Sequence, residues 1–336
     1  MNAFRIPLVL IPLVALAQQP RVTNAKLETR AAAGLEREVR SISGPAWVGY
    51  AEPAANPSQH SCCGSCGGGC GCALEGARSE ARSTGGPVQL ESRDVLVLFR
   101  VERGSVGKIR TFSAGCELDA GGLPFVWLTG VAPAESVRFL ASLVSSGAER
   151  LTDSAIMAIA MHAGPEAGRQ LEQFAGASNS ELVREKTAFW LGAARGKAGA
   201  DLLTRMMKQD PSEHVRDKVA FALSISKDPG ATDALIAAAR SDSSARVRGQ
   251  ALFWLGQKAG KKAETAITDA IENDPQTEVK RRAVFALSQL PRDEGVPRLI
   301  QVARTNRNPA VRKQAMFWLG QSRDPRALEF FEQVLK

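Results

Sequence analysis

Five times in this 336-residue chain a valine followed by a basic residue opens a run with helical spacing, and each opening stands 32 residues after the last. The openings are Val183-Arg184, Val215-Arg216, Val247-Arg248, Val279-Lys280 and Val311-Arg312. The runs close alternately as Phe-Trp-Leu-Gly from Phe189, Phe253 and Phe317, and as Phe-Ala-Leu-Ser from Phe221 and Phe285. A fixed period of this size without insertions predicts one supersecondary unit, copied and stacked, because a single unit cannot bury its own apolar faces. One period before Val183 lies Leu151, whose run keeps the apolar spacing without the motif, as a capping unit does. Units therefore begin near 151, 183, 215, 247, 279 and 311.

Each unit reads as two helices. In the first, Val215, Val219, Ala222 and Leu223 fall on one face of a 3.6-residue period. The second follows a break such as Asp228-Pro229-Gly230 and carries its own stripe through Leu235, Ile236 and Ala239. Asp210-Pro211, Asp274-Pro275 and Asn308-Pro309 announce the next unit. The fold class is thus mainly α, an α-α superhelix over 134–336.

The run Asp-Pro-x-x-x-Val-Arg, then Ala or Val, then Ala-Leu-Ser or Trp-Leu-Gly, resembles the short HEAT-like repeats of phycobilin lyases, which are widespread in bacterial proteins. The resemblance implies a right-handed array of antiparallel helix pairs, and it implies little about activity, because such folds serve many roles. In related repeats the residue after the valine pairs with the loop acid of a neighbouring unit. That residue is Arg184, Arg216, Arg248, Lys280 or Arg312 here, and Asp210, Asp242 and Asp274 occupy the acid's place. The resemblance therefore implies a ladder of ion pairs rather than an anion-binding stripe.

The remainder of the chain divides by composition. Arg5 precedes the apolar run Ile6–Ala17, which ends in Ala15-Leu16-Ala17, so residues 1–17 read as a cleaved signal peptide. Residues 18–86 are rich in Ala, Gly, Ser and Pro and read as largely irregular, with a loose helix over Ala25–Val39 and a short strand at Trp47–Tyr50. Over 87–131 the period changes to two: Val95–Arg100, a turn at Glu102–Ser105, Lys108–Phe112 and Phe125–Leu128 predict a small antiparallel sheet.

Several residue sets are candidates for function. Phe189, Phe221, Phe253, Phe285 and Phe317 lie about 240° round the first helix from its valine. They form either an aromatic ladder open to a partner or wedges buried between helices; burial is the expectation, since large aromatics carry much of core packing. Trp190, Trp254 and Trp318 read as core residues opposite Ala222 and Ala286. Lys208, Arg240, Glu272, Arg304 and Lys336 form a column at the end of the second helices. Its cations Lys208, Arg240, Arg304 and Lys336 are the candidate binding surface, unless they only cap their helix dipoles. Cys62, Cys63, Cys66, Cys70, Cys72 and Cys116 make an even set. In an exported chain disulfides are the expectation over a soft-metal site, and Cys116 is placed to tether the Gly-rich loop to the sheet. Glu117 and Asp119 share a strand face and could hold a cation, though a solvated turn is the commoner arrangement; His162 and His214 have no partners at ligand spacing.

Charge is uneven. Sixteen Lys and Arg face sixteen Asp and Glu up to Ser180, whereas twenty-seven face nineteen from Glu181 onwards. An excess of that kind favours encounter with acidic partners. With no nucleophile elbow, phosphate loop, dinucleotide fingerprint or zinc-protease motif, the sequence predicts an interaction scaffold, not an enzyme, without a cofactor, a nucleic-acid partner or a membrane span. Its expected place is the periplasm or the medium. The rival readings are a thiol- or metal-handling protein working through the Cys-rich loop, and a lyase-like enzyme.

Overall fold

The computed structural model describes residues 19–56, 62, 72–76, 93–258 and 260–335. These form two compact units: a β-rich one that ends at Ala132, and a helical one made of Pro133 onwards together with Ala54–Asn56. The signal-peptide reading of 1–17 lies outside the described residues.

The β-rich unit contains β1 (Arg21–Thr23), β2 (Leu27–Ala31), the short helix α1 (Leu35–Arg40), β3 (Ala46–Pro53), β4 (Cys72–Ala73), β5 (Asp94–Glu102), β6 (Ser105–Ser113), β7 (Glu117–Asp119) and β8 (Phe125–Thr129). The expected β5–β6 hairpin and the strand at 125 are present, but the sheet differs from the expectation in two ways. Its order is β2-β8-β3-β5-β6, so it takes in β2 from the region read as irregular, beside β3, which contains the short strand expected at Trp47–Tyr50. It is also mixed, because β8 runs parallel to both β2 and β3. The helix expected over Ala25–Val39 is instead β2 followed by α1. Helical propensity in Leu27-Glu28-Thr29-Arg30 gives way to pairing with β8, a tertiary effect that local composition does not carry.

Alternation then selects the core. Trp47, Leu96, Leu98, Phe125 and Trp127 share one face of the sheet and pack with Cys72, Leu74, Cys116 and Leu118. Cys72 and Leu118 belong to a second sheet, of order β1-β7-β4. Cys116 forms a disulfide with Cys62, the tether expected for this position. Cys72 is disulfide-bonded as well. Cys63, Cys66 and Cys70 lie outside the described residues.

The helical unit opens with α2 (Pro133–Ser145), which packs against the first full pair and stands one period before a second helix. Six pairs follow: α3 (Glu149–Met161) with α4 (Pro165–Ala175), α5 (Glu181–Ala194) with α6 (Gly196–Gln209), α7 (Glu213–Ile225) with α8 (Gly230–Ser241), α9 (Ala245–Lys258) with α10 (Lys261–Asn273), α11 (Thr277–Ser288) with α12 (Arg292–Thr305), and α13 (Pro309–Ser322) with α14 (Pro325–Leu335). Val215, Val219, Ala222 and Leu223 are all fully buried, as the period requires.

The Trp-Leu-Gly ending explains how tightly the layers stack. A Cβ on Gly192 would stand 2.2 Å from the carbonyl oxygen of Ala222, and one on Gly256 would stand 2.7 Å from that of Ala286. The glycine of one layer and the alanine of the next thus bring two helix backbones together. Gly320 ends the last such run, and nothing lies within 4 Å of its Cβ position. Gly192→Ala should therefore force the layers apart, at about 1–3 kcal/mol. Gly320→Ala should gain up to about 1 kcal/mol from helix propensity. Urea unfolding of the two variants measures the contrast; equal shifts would show that helix approach does not decide the residue.

Candidate functional site

The basic residue after each valine is committed to the fold. Arg184 donates from Nε to Asp210 Oδ2 at 2.8 Å and from Nη2 to Oδ1 at 3.2 Å. Arg216 repeats this fork on Asp242 at 2.9 and 3.0 Å, and Arg248 on Asp274 at 2.7 and 3.1 Å. In each pair the side chains are nearly buried, from 2% to 11% exposed. The same guanidinium reaches back from Nη1 to a loop carbonyl, Asp210 O for Arg216 and Asp242 O for Arg248, both at 2.9 Å. Each aspartate in turn accepts the backbone N–H of Ser212, Ser244 or Gln276 at the start of the next unit. The column is an ion-pair ladder, as the resemblance implied. Asp242→Ala would strand Arg216 in a buried place and should cost about 3–5 kcal/mol. Asp201→Ala, at an exposed pair with Lys197, should leave the denaturation midpoint nearly unchanged.

The aromatic residues depart from their expected burial. Phe189, Phe221, Phe253 and Phe285 are half-buried, as are Trp190, Trp254 and Trp318, and Phe317 is 54% exposed. Their rings touch in one unbroken series. Phe189 stacks on Phe221 at 6.1 Å and Phe253 on Phe285 at 5.9 Å between centroids. Phe221 meets Trp254 at 5.0 Å and Phe285 meets Trp318 at 4.9 Å. Within each layer that carries a tryptophan, the Phe stands edge-on to it at 4.7–5.0 Å. The rings do pack between successive first helices, as wedges would, but they are only partly covered, with Nε1 of Trp254 and Trp318 buried and one side of the series left open. They lie across the outward side of α5, α7, α9, α11 and α13 and cover one another. Trp190 Nε1 donates to Asp153 Oδ1 at 3.0 Å, whereas Nε1 of Trp254 and of Trp318 is without a partner. The signal was present in the sequence as Phe at 240° from the valine, off the buried stripe.

The column on the second helices is only partly free. Arg240 pairs with Asp269 at 3.4 Å, and Arg304 lies 5.5 Å over the Phe330 ring while donating to Gln333. Glu272 accepts from Asn306 Nδ2 at 3.2 Å. Lys208 is exposed, and Lys336 lies outside the described residues.

Two titratable groups are buried in a way the sequence reading did not show. His162, fully buried at the end of α3, has Nδ1 2.6 Å from Ala158 O and Nε2 2.8 Å from Ser136 Oγ. Nδ1 must carry the proton, because a carbonyl can only accept; Nε2 then accepts from the serine. Both side chains are inaccessible, so the pair is a structural clasp and not a nucleophile with its base. Burial first, and the charge of Arg195 in addition, pull the His162 pKa down to about 4, against a carbonyl contact that raises it. In the β-rich unit Glu52 is 2% exposed with Oε1 unpaired, and burial, then the charge of Asp94, push its pKa up to about 8. Asp119 is the last residue of β7, and its carboxylate is spent on the turn that follows: it accepts from Gly121 N at 2.9 Å and Asn24 Nδ2 at 3.0 Å, which lowers its pKa. Among the described residues no group of three or more His, Cys, Asp or Glu is arranged to hold a metal. No described helix is long and apolar enough to cross a membrane.

These features define a stacked helical-repeat array with an ion-pair ladder inside it and an aromatic ladder on its outward side. The repeats are HEAT repeats: the sequence profile of that family matches residues 171–256 and 264–336. Solved structures similar to the chain include the CpcE–CpcF complex of phycocyanin lyase from Nostoc sp. PCC7120, at 17% identity and a TM-score of 0.35, covering 45% of this chain and 97% of that one. Human deoxyhypusine hydroxylase in complex with glycerol matches at 17% identity and a TM-score of 0.25, covering 60% and 90%. Escherichia coli YibA matches at 18% and 0.37, covering 60% and 75%. No curated protein matches the chain.

The His162 clasp makes the array sensitive to acid. Its folded-state pKa lies below the ordinary 6.5, so the unfolded chain takes up the proton first. Stability should be full above about pH 6.5 and fall by about 3 kcal/mol as the pH drops towards 4. Urea midpoints of wild type and His162→Gln across that range decide it; identical slopes for the two would remove His162 as the cause.

Proposed function

We propose that this chain is an exported scaffold that holds another protein on its HEAT array and carries out no chemistry of its own. The observation that carries the reading is the aromatic ladder. Eight rings in mutual contact, none fully buried, give a long apolar strip on the outward side of a repeat array, and rigid aromatics are the side chains that anchor protein interfaces. The cationic excess from Glu181 onwards favours an acidic partner. Export is supported by the leader-like run before Gln18 and by the Cys62–Cys116 disulfide, a bond that persists in oxidising compartments. The disulfides at Cys62, Cys72 and Cys116 also take these sulfurs away from any metal site.

Tagged native protein incubated with envelope extract should retain a partner that salt elutes. Replacing Phe253 and Phe285 together by Leu keeps apolar volume but removes two aromatic faces, and should abolish retention with the melting temperature little changed. Retention by the double variant as strong as by wild type would overturn the ladder as the binding surface. The intact mass of protein from the periplasm or medium should lack residues 1–17; a native protein that keeps Met1 would overturn export.

A further inference from the structure

The repeat supplies an internal control for every position, and at one place the second-helix face is missing a partner that other layers have. Twenty-nine residues after each member of the column, on the next second helix, stand Ala237 (after Lys208), Asp269 (after Arg240), Gln301 (after Glu272) and Gln333 (after Arg304). Arg240 is answered by Asp269 at 3.4 Å, and Arg304 by Gln333. Lys208 faces the alanine and makes no ion pair among the described residues. A groove of about 370 Å³ opens there between α6 and α8, and both Lys208 and Ala237 line it. Its floor adds Ala234 and Ala238, and its polar wall adds Thr204 and Ser241. Arg216 also borders the groove, but its charge is already answered by the fork to Asp242.

We infer that this groove is a carboxylate-binding site, in which an Asp or Glu side chain of a partner polypeptide takes the place that Asp269 fills one layer on. The lysine supplies the charge, and the alanines leave room for the aliphatic stem and backbone beside it. The surroundings restrict the ligand to a single negative charge. Both α6 and α8 end at the groove, so their carbonyl ends present partial negative charge, and Asp242 adds a carboxylate at its edge. A phosphate or a polyanionic strand would bring into that field more negative charge than one lysine offsets; a single carboxylate brings one charge, which Lys208 matches. The proposal rests on the scaffold reading and specifies what the partner must present.

The probe is a rhodamine-labelled, C-terminally amidated Ala-Ala-Glu-Ala-Ala peptide, with Ala-Ala-Gln-Ala-Ala as its counterpart without the carboxylate, read by anisotropy against the full chain at low ionic strength. Wild type should bind the acidic peptide and not the neutral one. Lys208→Met should weaken binding roughly two- to fivefold, the loss of one exposed charge contact. Ala237→Asp should weaken it as much, by supplying the missing acid from within the array, and this variant retains every native cation. Lys313→Met, an exposed lysine on α13, should leave binding unchanged. Failure of wild type to bind, or equal binding by Ala237→Asp, overturns the site. Retention of the envelope partner by Lys208→Met overturns this site alone, and loss of retention by wild type would instead remove the scaffold reading.

Discussion

The buried fork between arginine and aspartate sets the register of the helical unit. Each guanidinium sits on the first helix of one unit, grips the loop aspartate that opens the next, and holds a carbonyl of the loop behind it. The same aspartate accepts a backbone N–H two residues on. Three loops are therefore fixed by one repeated contact, in which every guanidinium nitrogen and both carboxylate oxygens take part. An isolated buried charge would be costly, and a bidentate pair with its remaining donors satisfied avoids that cost. The stacking of Gly192 on Ala222 and of Gly256 on Ala286 depends on this register, because an approach of backbone to backbone tolerates no slip along the helix axis.

Where the fork lapses, the array changes character. Lys280 takes the arginine's place and donates to Glu272 O at 2.6 Å, while Asn306 stands for the aspartate and bonds Glu272 instead. Among the described residues Arg312 bonds the carbonyls of Asn306 and Arg307 and forms no ion pair. Towards the same end Phe317, Leu328, Val334 and Leu335 are exposed. Loss of the ladder and loss of apolar cover thus coincide in the last two layers.

The helical unit was legible because its information is periodic. Val215, Val219 and Leu223 announce a buried stripe from spacing alone, and the aspartates fell where related repeats place them. The aromatic ladder was misread because its stabilising contacts run across layers. Phe221 looks towards solvent on its own helix and gains cover only from Phe189 on one side and Trp254 on the other. A wheel drawn for one helix contains neither ring. The β-rich unit failed for the same reason at longer range. Leu27–Ala31 is a strand because Phe125–Thr129 lies beside it, nearly a hundred residues away, and nothing in Leu-Glu-Thr-Arg-Ala announces that pairing. Cys116 was placed correctly since its partner had to come from the one Cys-rich segment; Ser136 and His162 were missed because their meeting depends on how α2 packs against α3.

A repeat with no insertions makes each departure from its own pattern informative. Core positions in all layers solve the same packing problem, so a substitution there must be compensated by a neighbour, as Gly256 is by Ala286. Surface positions have no such obligation, and their drift is usually silent. A surface position becomes informative when drift removes one member of a pair that another layer keeps, since the remaining charge is then exposed beside the volume its partner would have filled. Lys208 and Ala237 are such a remainder, and the aromatic ladder is the opposite case, a surface feature carried through five layers. The ladder gives the array length and apolar contact without selectivity. The groove between α6 and α8 lies instead on the second helices and supplies one fixed charge at one layer there, so the two sets of helices offer different kinds of contact.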